Sequence, residues 1–389
     1  MTTRKGARHG PGQPYARTNG GPWLPGQETS IMVISGSPAL HGEVGRVATA
    51  AAVGLVIVQS VEQGSGQWEN MAAILVGSDV EVRLPGWRGP VVMVGPAEDL
   101  ERMWLQASVL GADRVAVLPA SAQWLANYLT RLREPTAGAV VVGIVGGCGG
   151  AGASTLSILF AAGAAAWGFP VLLVDGDQWG GGLDFAMDAG ELPGLRWPDL
   201  FNASGPINAE QLASALPKAA GISLLAWAGA PADSPGHLDF RATAAIGEVM
   251  QAARSSFGLV VIDVGRSPES LAALGVHCDG FVVVVPSRFQ AAAAAARLVR
   301  DLPPAPVGLL VRGPFRDGVD SQVVAAAVGI PCIGVMPELR GIADVLDDGH
   351  LLGLLKRRKV RHLNAGLLDW LEDRGGSGFA PAQPWRASA

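Results

Sequence analysis

The sequence predicts an α/β protein built from two doubly wound sheets. Three observations lead there. Short apolar runs alternate with helical stretches along most of the 389 residues. In the second half these runs are apolar throughout, which marks strands buried on both faces of a mostly parallel sheet. The composition, 49% hydrophobic and 16% charged with 53 glycines, suits such sheets under Ala-rich helices and argues against disorder. The length is enough for two domains with separate cores.

In the first half, strands are expected at Ile31–Ser35, Leu55–Val58, Ala72–Val76, Val91–Val94 and Arg114–Leu118. Helices are expected over Glu43–Ala52, Ala97–Leu110 and Ala122–Leu132. Five strands with crossovers in about 100 residues fit a small doubly wound sheet. In the second half, strands are expected at Val140–Val145, Val171–Asp175, Ser223–Trp227, Leu259–Asp263, Phe281–Val285, Val307–Val311 and Cys332–Val335. The stretch Pro193–Pro217 is hard to read and its structure stays open. The expected division is a disordered leader over 1–29, a first domain over 30–133, a linker over 134–138, a second domain over 139–373 and a flexible tail over 374–389.

Composition also sets limits on function. A net charge of −5 surrounds the chain with no basic field and gives no reason to expect nucleic-acid binding. Cys148, Cys278 and Cys332 are far apart, odd in number and without metal spacing, as in reduced cytosolic thiols. The leader carries basic residues but lacks the apolar core of a secretory signal, and runs such as Phe281–Pro286 are too short to span a bilayer. A soluble, cytoplasmic protein is expected. Lysine is scarce: Lys5, Lys218, Lys356 and Lys359 are the whole supply.

The stretch Val142–Leu156 carries the chemistry. A buried strand runs into Gly146-Gly147-Cys148-Gly149-Gly150-Ala151-Gly152-Ala153-Ser154-Thr155, followed by an Ala/Leu-rich helix. Those parts place backbone N–H groups and a helix N-terminus around a polyphosphate, with Ser154 where a Mg²⁺ ion would bind. Tight strand–helix packing alone could also explain a glycine turn. Two more strands speak against that bland reading. Val171-Leu172-Leu173-Val174-Asp175-Gly176-Asp177 and Leu259-Val260-Val261-Ile262-Asp263 each end in carboxylates, where ligand sites of such sheets lie. Asp263 fits a metal role through water, Asp177 the orientation of an attacking water, and Asp175 support of the metal shell.

Cys148–Thr155 resembles the deviant Walker A loop, K-G-G-x-G-K-[ST]-[ST], of the MinD/ParA P-loop ATPases. Asp175-Gly176-Asp177 resembles their switch I strand, Asp263 their Walker B position, and Gly329-Ile330-Pro331-Cys332-Ile333-Gly334 their late strand. The resemblance covers roughly residues 139–373. It implies ATP or ADP with Mg²⁺ at Gly147, Cys148, Gly149, Gly150, Ala151, Gly152, Ala153, Ser154 and Thr155. The metal would lie at Ser154, Asp175 and Asp263, with Asp177 as the catalytic candidate. Both lysines of the motif are replaced, by Cys148 and Ala153. Each lost charged hydrogen bond is worth about 1.5–3 kcal/mol, so binding is expected to be weak and turnover weaker. Arg266 is the candidate for replacing the missing charge. Arg312 stands where relatives offer Asn to adenine, and Asp263-Val264-Gly265 lacks a customary proline.

The loop type G-G-x-G-A-[ST]-[ST] is similar to that of the CpaE-like branch, and most like its actinobacterial septum site-determining members. That resemblance implies a receiver-like first domain, a role in septum-site determination and cell division or in localising a type IV pilus (Tad-type) secretion apparatus, and protein partners from those machineries. It further implies a homodimer, weakened here by Cys148, and recruitment to septum, pole or inner membrane face. A metabolic P-loop enzyme is the rival reading. A working receiver needs an acidic cluster, a phosphoacceptor and a lysine. Here Ser35, Asp79 and Leu118 occupy those strand ends, so a docking platform is expected in place of a phosphorylation switch. At the C-terminus, Lys356–Arg361 precedes a Leu363, Leu367, Leu368, Leu371 stripe. The stripe is expected to pack on the ATPase domain and not on lipid, because Glu372 and Asp373 sit where a membrane helix prefers cations.

Overall fold

A computed structural model of the chain describes residues 29–375 except 88, 113, 134–137, 202–206, 228–244, 316–318, 340 and 349. The leader to residue 28, most of the expected linker and the tail from 376 lie outside the described residues.

The expected strands all appear, each within two residues of its predicted ends. The first sheet joins β1 (Ser30–Ile34), β2 (Gly54–Val58), β3 (Met71–Gly77), β4 (Val91–Gly95) and β5 (Arg114–Val117) in the order β2-β1-β3-β4-β5. All its pairings are parallel. Helices α1 (Pro38–Ala50) and α4 (Ala122–Arg133) cover one face through Leu40, Val44, Trp124 and Leu125. The short α2 (Val61–Gly64) and α3 (Leu100–Leu110) cover the other through Met103 and Ala107. Helix α1 begins five residues before its expected start. Ser37 caps it, accepting from the Leu40 N–H, and Pro38 fits the first turn because no partner is needed for its missing N–H. The β3–β4 connection holds no helix among the described residues, unlike the other crossovers.

The second sheet has eight strands: β6 (Val140–Gly146), β7 (Val171–Asp175), β8 (Lys218–Ala219), β9 (Ile222–Leu225), β10 (Leu259–Asp263), β11 (Gly280–Pro286), β12 (Val307–Arg312) and β13 (Cys332–Met336). Their order is β13-β12-β11-β6-β10-β7-β9-β8. Every pairing is parallel except that of β8, a two-residue antiparallel edge that carries Lys218 far from the glycine loop. The stretch left open holds two short helices, Trp197–Phe201 and Ala209–Ala215.

Helix α5 (Ala153–Ala166) is apolar on all sides, because it is sandwiched between the sheet and the C-terminal helix, Arg358–Gly375. Gly163 lets that helix approach closely: a side chain there would collide with Asn364, whose Nδ2 donates to the Leu159 carbonyl at 2.9 Å. Leu363, Leu367, Leu368 and Leu371 are buried against α5 and β13, as expected. Lys356, Arg357, Arg358, Lys359 and Arg361 remain exposed. No helix among the described residues is long and apolar enough to cross a membrane.

The two sheets meet at Asp279. Its carboxylate accepts from Arg254 at 2.9 and 3.0 Å and from the Val141 N–H at 2.8 Å, and pairs with Arg131 of α4 at 3.2 Å. Asn127 of α4 donates to the Val276 carbonyl at 3.3 Å. Burial alone would raise the Asp279 carboxyl, but Arg254 and Arg131 together hold it below the usual carboxylate range.

Candidate functional site

Strand order decides which sequence-distant residues meet. β6 lies at the centre between β10 and β11, and the crossover through α5 carries the chain past β10 to β7. Asp263 ends β10 and Asp175 ends β7, and the parallel register sets these two residues side by side. Both therefore stand at the carboxyl edge where residues 147–152 leave β6, the end of such a sheet that takes ligands.

The loop is built for close approach. Gly150 and Gly152 have φ of 65° and 100°, the left-handed region in which a Cβ is costly. The Gly147 N–H is used by the Val284 carbonyl at 2.9 Å, which ties the loop to β11. By contrast, the N–H groups of Gly149, Gly150, Gly152 and Ser154 have no acceptor among the described residues, and α5 has no side-chain cap. Donors aimed outward from a helix start are what a phosphate group fits. Cys148 is half-buried, a free thiol, and Ala153 opens the helix.

The carboxylates differ in their surroundings. Asp263 is buried, with the Ser154 hydroxyl close enough to favour its charged form. Burial pushes its carboxyl up to about 6, with Asp177 adding to the rise and Ser154 opposing it. Asp175 is buried too, and burial is again the main cause of a rise to about 7. Its oxygens accept the Leu183 N–H at 3.0 Å and the Asp177 N–H at 3.1 Å, so it shapes the loop after β7 as well as facing Asp263. The Trp197 indole donates to the Asp175 carbonyl at 2.8 Å and fixes the same turn. Asp177 accepts from the Trp179 N–H at 3.2 Å and lies against Gly265, where a Cβ would stand 3.0 Å from the Asp177 Cβ. Gly265 also has φ of 72°, which a proline ring could not adopt. That accounts for the residue found after Asp263-Val264.

The described residues hold no cluster of three or more His, Cys, Asp or Glu arranged to bind a metal unaided. Mg²⁺ is commonly held by one or two carboxylates together with phosphates and water, and the Ser154–Asp263 pair is suited to that mode. The donor set therefore fits Mg²⁺ that arrives with a polyphosphate.

Two arginines from other strands also reach the loop. A methyl group built on Gly149 would stand 3.7 Å from Nη1 of Arg266, and one built on Gly152 would stand 3.2 Å from Nη1 of Arg312. Arg266 follows β10, whereas Arg312 ends β12, two strands from β6.

The receiver-like edge of the first sheet is arranged differently. The Asp79 carboxylate accepts from the Ser35 hydroxyl at 2.7 Å and from the Gly36 N–H at 2.7 Å. Ser78 donates to Asp99 at 2.6 Å. Leu118, buried, follows β5 where a lysine would be needed. Each oxygen of Asp79 is thus engaged by its own sheet edge.

With this geometry in place, the comparisons with known proteins have a definite meaning. Residues 33–139 match the family described as Rv3660c-like, CheY-like N-terminal domain. The "Uncharacterized protein Rv3660c" of Mycobacterium tuberculosis (strain ATCC 25618 / H37Rv) is 33% identical over 358 residues, spanning 88% of this chain and 97% of its own. "Uncharacterized protein MT3760" of strain CDC 1551 / Oshkosh gives the same figures. Among solved structures, the ParA family ATPase of Chlorobium tepidum TLS superposes with a TM-score of 0.51 at 19% identity, covering 60% of this chain and 98% of its own. The likeness to that ATPase establishes the fold of the larger domain. The chain belongs to the Rv3660c-like family, with a CheY-like domain ahead of a larger domain that has the fold of that ParA family ATPase.

Proposed function

We propose that the chain is a nucleotide-binding regulatory or positioning protein that holds Mg-ATP or Mg-ADP at residues 147–155. One observation carries this reading. A loop with unused N–H groups, the Ser154 hydroxyl beside Asp263 and the Asp263–Asp175 pair converge at one edge of one sheet. Ser154 and Asp263 would hold Mg²⁺ directly or through water, Asp175 would keep the neighbouring loop in place, and Asp177 would orient a water molecule. The cation, once bound, supplies charge stabilisation to the phosphates. Cys148 and Ala153 leave the transition state without the two ammonium groups that stabilise it, so occupancy and not rapid turnover is the signal.

The specific role proposed is septum-site determination and regulation of cell division. It is supported by the resemblance of the loop and domain order to CpaE-like septum proteins. Protein partners from the division machinery would dock on the receiver-like domain, whose Asp79 is occupied by its own neighbours. The chain would act in the cytoplasm, recruited to the septum, and form at most a weak nucleotide-driven homodimer, since Cys148 removes a cross-dimer lysine. Localisation of a pilus-type secretion apparatus is the second reading, favoured by the Gly149-Gly150-Ala151-Gly152-Ala153-Ser154-Thr155 loop type.

Calorimetry of Mg-ADP and Mg-ATP on the full chain, followed by turnover assays with metabolite mixtures, tests the biochemical core. Saturable binding with slow, substrate-independent turnover is expected. Turnover that depends on a metabolite would instead make the chain a metabolic enzyme. A fluorescent fusion placed at poles and absent from septa would remove the division role.

A further inference from the structure

We propose that Arg266 and Arg312 take over, from other strands, the phosphate-binding charge that the loop itself has lost. The inference rests on the nucleotide reading above and names the residues that make the site work. The motif would carry ammonium groups at positions 148 and 153, where the chain has Cys148 and Ala153. Beside each gap stands a guanidinium. Arg266 reaches Gly149, the neighbour of Cys148, and Arg312 reaches Gly152, the neighbour of Ala153, at 3.7 and 3.2 Å from the Cβ position of each glycine. Gly152 therefore serves twice, taking the left-handed backbone and leaving room for Arg312, while Gly149 lies in ordinary contact range of Arg266.

Among the described residues neither guanidinium is held by an ion pair or a side-chain hydrogen bond, although arginines such as Arg254 and Arg196 in the same domain are fully engaged. Arg312 is half-buried, and its charge is disfavoured first by that burial and then by the nearby Arg288, with Cys148 the only group opposing this. Like charges gathered beside a glycine loop, as Arg312 and Arg288 are, are stabilised by an anion from outside. Asp175, Asp177 and Asp263 supply the carboxylates that a divalent cation would bridge. Arginine suits the task because its planar fork donates two parallel hydrogen bonds to a phosphate. The ligand class is accordingly a Mg-polyphosphate, read through its phosphates and not through its base.

The test titrates the full chain with Mg-ADP and with Mg-pyrophosphate, which lacks base and ribose. Arg266→Gln and Arg312→Gln are each expected to weaken both ligands by roughly 10- to 100-fold, the loss of one charged hydrogen bond. Arg312→Lys should recover part of the loss. Thermal unfolding of each variant checks that the fold is intact, and Arg266→Lys serves as a second variant should either glutamine protein unfold. If the wild type binds both ligands and the arginine variants bind them equally well, the arginine assignment is wrong while the nucleotide reading stands. If Arg312→Gln weakens Mg-ADP but leaves Mg-pyrophosphate unchanged, Arg312 contacts base or ribose and the assignment is likewise wrong. If the wild type binds neither ligand, the nucleotide reading falls and takes this inference with it.

Discussion

Replacing Asp263 by asparagine measures what the fold gives up to keep a carboxylate at the loop. Asp263 is 3% exposed, and burial, with the Asp177 charge adding to it and the nearby Ser154 hydroxyl opposing it, pushes it from 3.8 up to about 6. A rise of about two units means that ionising Asp263 in the folded chain costs about 3 kcal/mol. Some of that is relieved by local relaxation, so about 2 kcal/mol is a working value. At pH 4 the folded group is protonated and the unfolded one is about half ionised, so the deficit is still a small part of its full size. As the pH rises to 6, the unfolded chain releases its proton first, so the folded state loses stability, and the deficit is complete above about pH 7. The asparagine side chain keeps an oxygen to accept from Ser154 and carries no charge. Without Mg²⁺, the Tm of D263N should match wild type near pH 4 and exceed it by about 4–8 °C at pH 8. Calorimetric melts between pH 4 and 8 give the result directly. A gap that is the same at every pH, or a D263N protein less stable than wild type at pH 8, refutes the reasoning.

Three further outcomes follow from named contacts. Asp79 is expected to take no label from acetyl phosphate, and Asp79→Ala should cost about 1–2 kcal/mol because Ser35 and Gly36 lose their acceptor; stoichiometric labelling that vanishes in D79A would overturn this. Leu367, 2% exposed, should cost about 2–4 kcal/mol when cut to alanine, with no pelleting of the chain on anionic vesicles. Co-sedimentation that depends on Lys356–Arg361 and on Leu367 contradicts that packing. Asp279→Ala strands Arg254 and Arg131 together and should cost about 3 kcal/mol, clearly more than Arg131→Ala, which removes only the α4 contact; equal losses in denaturant unfolding would show that the seam is not organised around Asp279.

How much of this was legible in the sequence depends on the reach of each interaction. The strands of both sheets were readable because β-branched and apolar runs such as Val140–Val145 and Leu259–Asp263 are local signals. The glycine loop, Ser154, Asp175 and Asp263 were readable for the same reason, since a parallel sheet necessarily brings strand ends to one edge. Gly265 was noted as a departure from the family pattern, and only its packing against Asp177 explains it. The segment around Trp197 resisted because its helices are short and separated by Gly and Pro, and because Trp197 is fixed by the distant Asp175 carbonyl as well as by Phe201. In sequence, Arg312 falls in the region where relatives offer Asn to adenine, which weakens the case for base recognition there. Its place beside Gly152 depends on the order β12-β11-β6, which no local pattern encodes. The engagement of Asp79 by Ser35 was invisible for the same reason, as the two are 44 positions apart.

The central claim is that a polyphosphate sits in the loop between β6 and α5. The affinity of Mg-ADP for Ala153→Lys, measured by calorimetry beside wild type, tests it most directly. An ammonium restored at the first residue of α5 would face the phosphates if they lie there. Saturable binding to wild type, tightened roughly tenfold or more in A153K, is the expected result. An affinity unchanged by the lysine, with wild type and variant equally folded, would show that nucleotide does not occupy this loop.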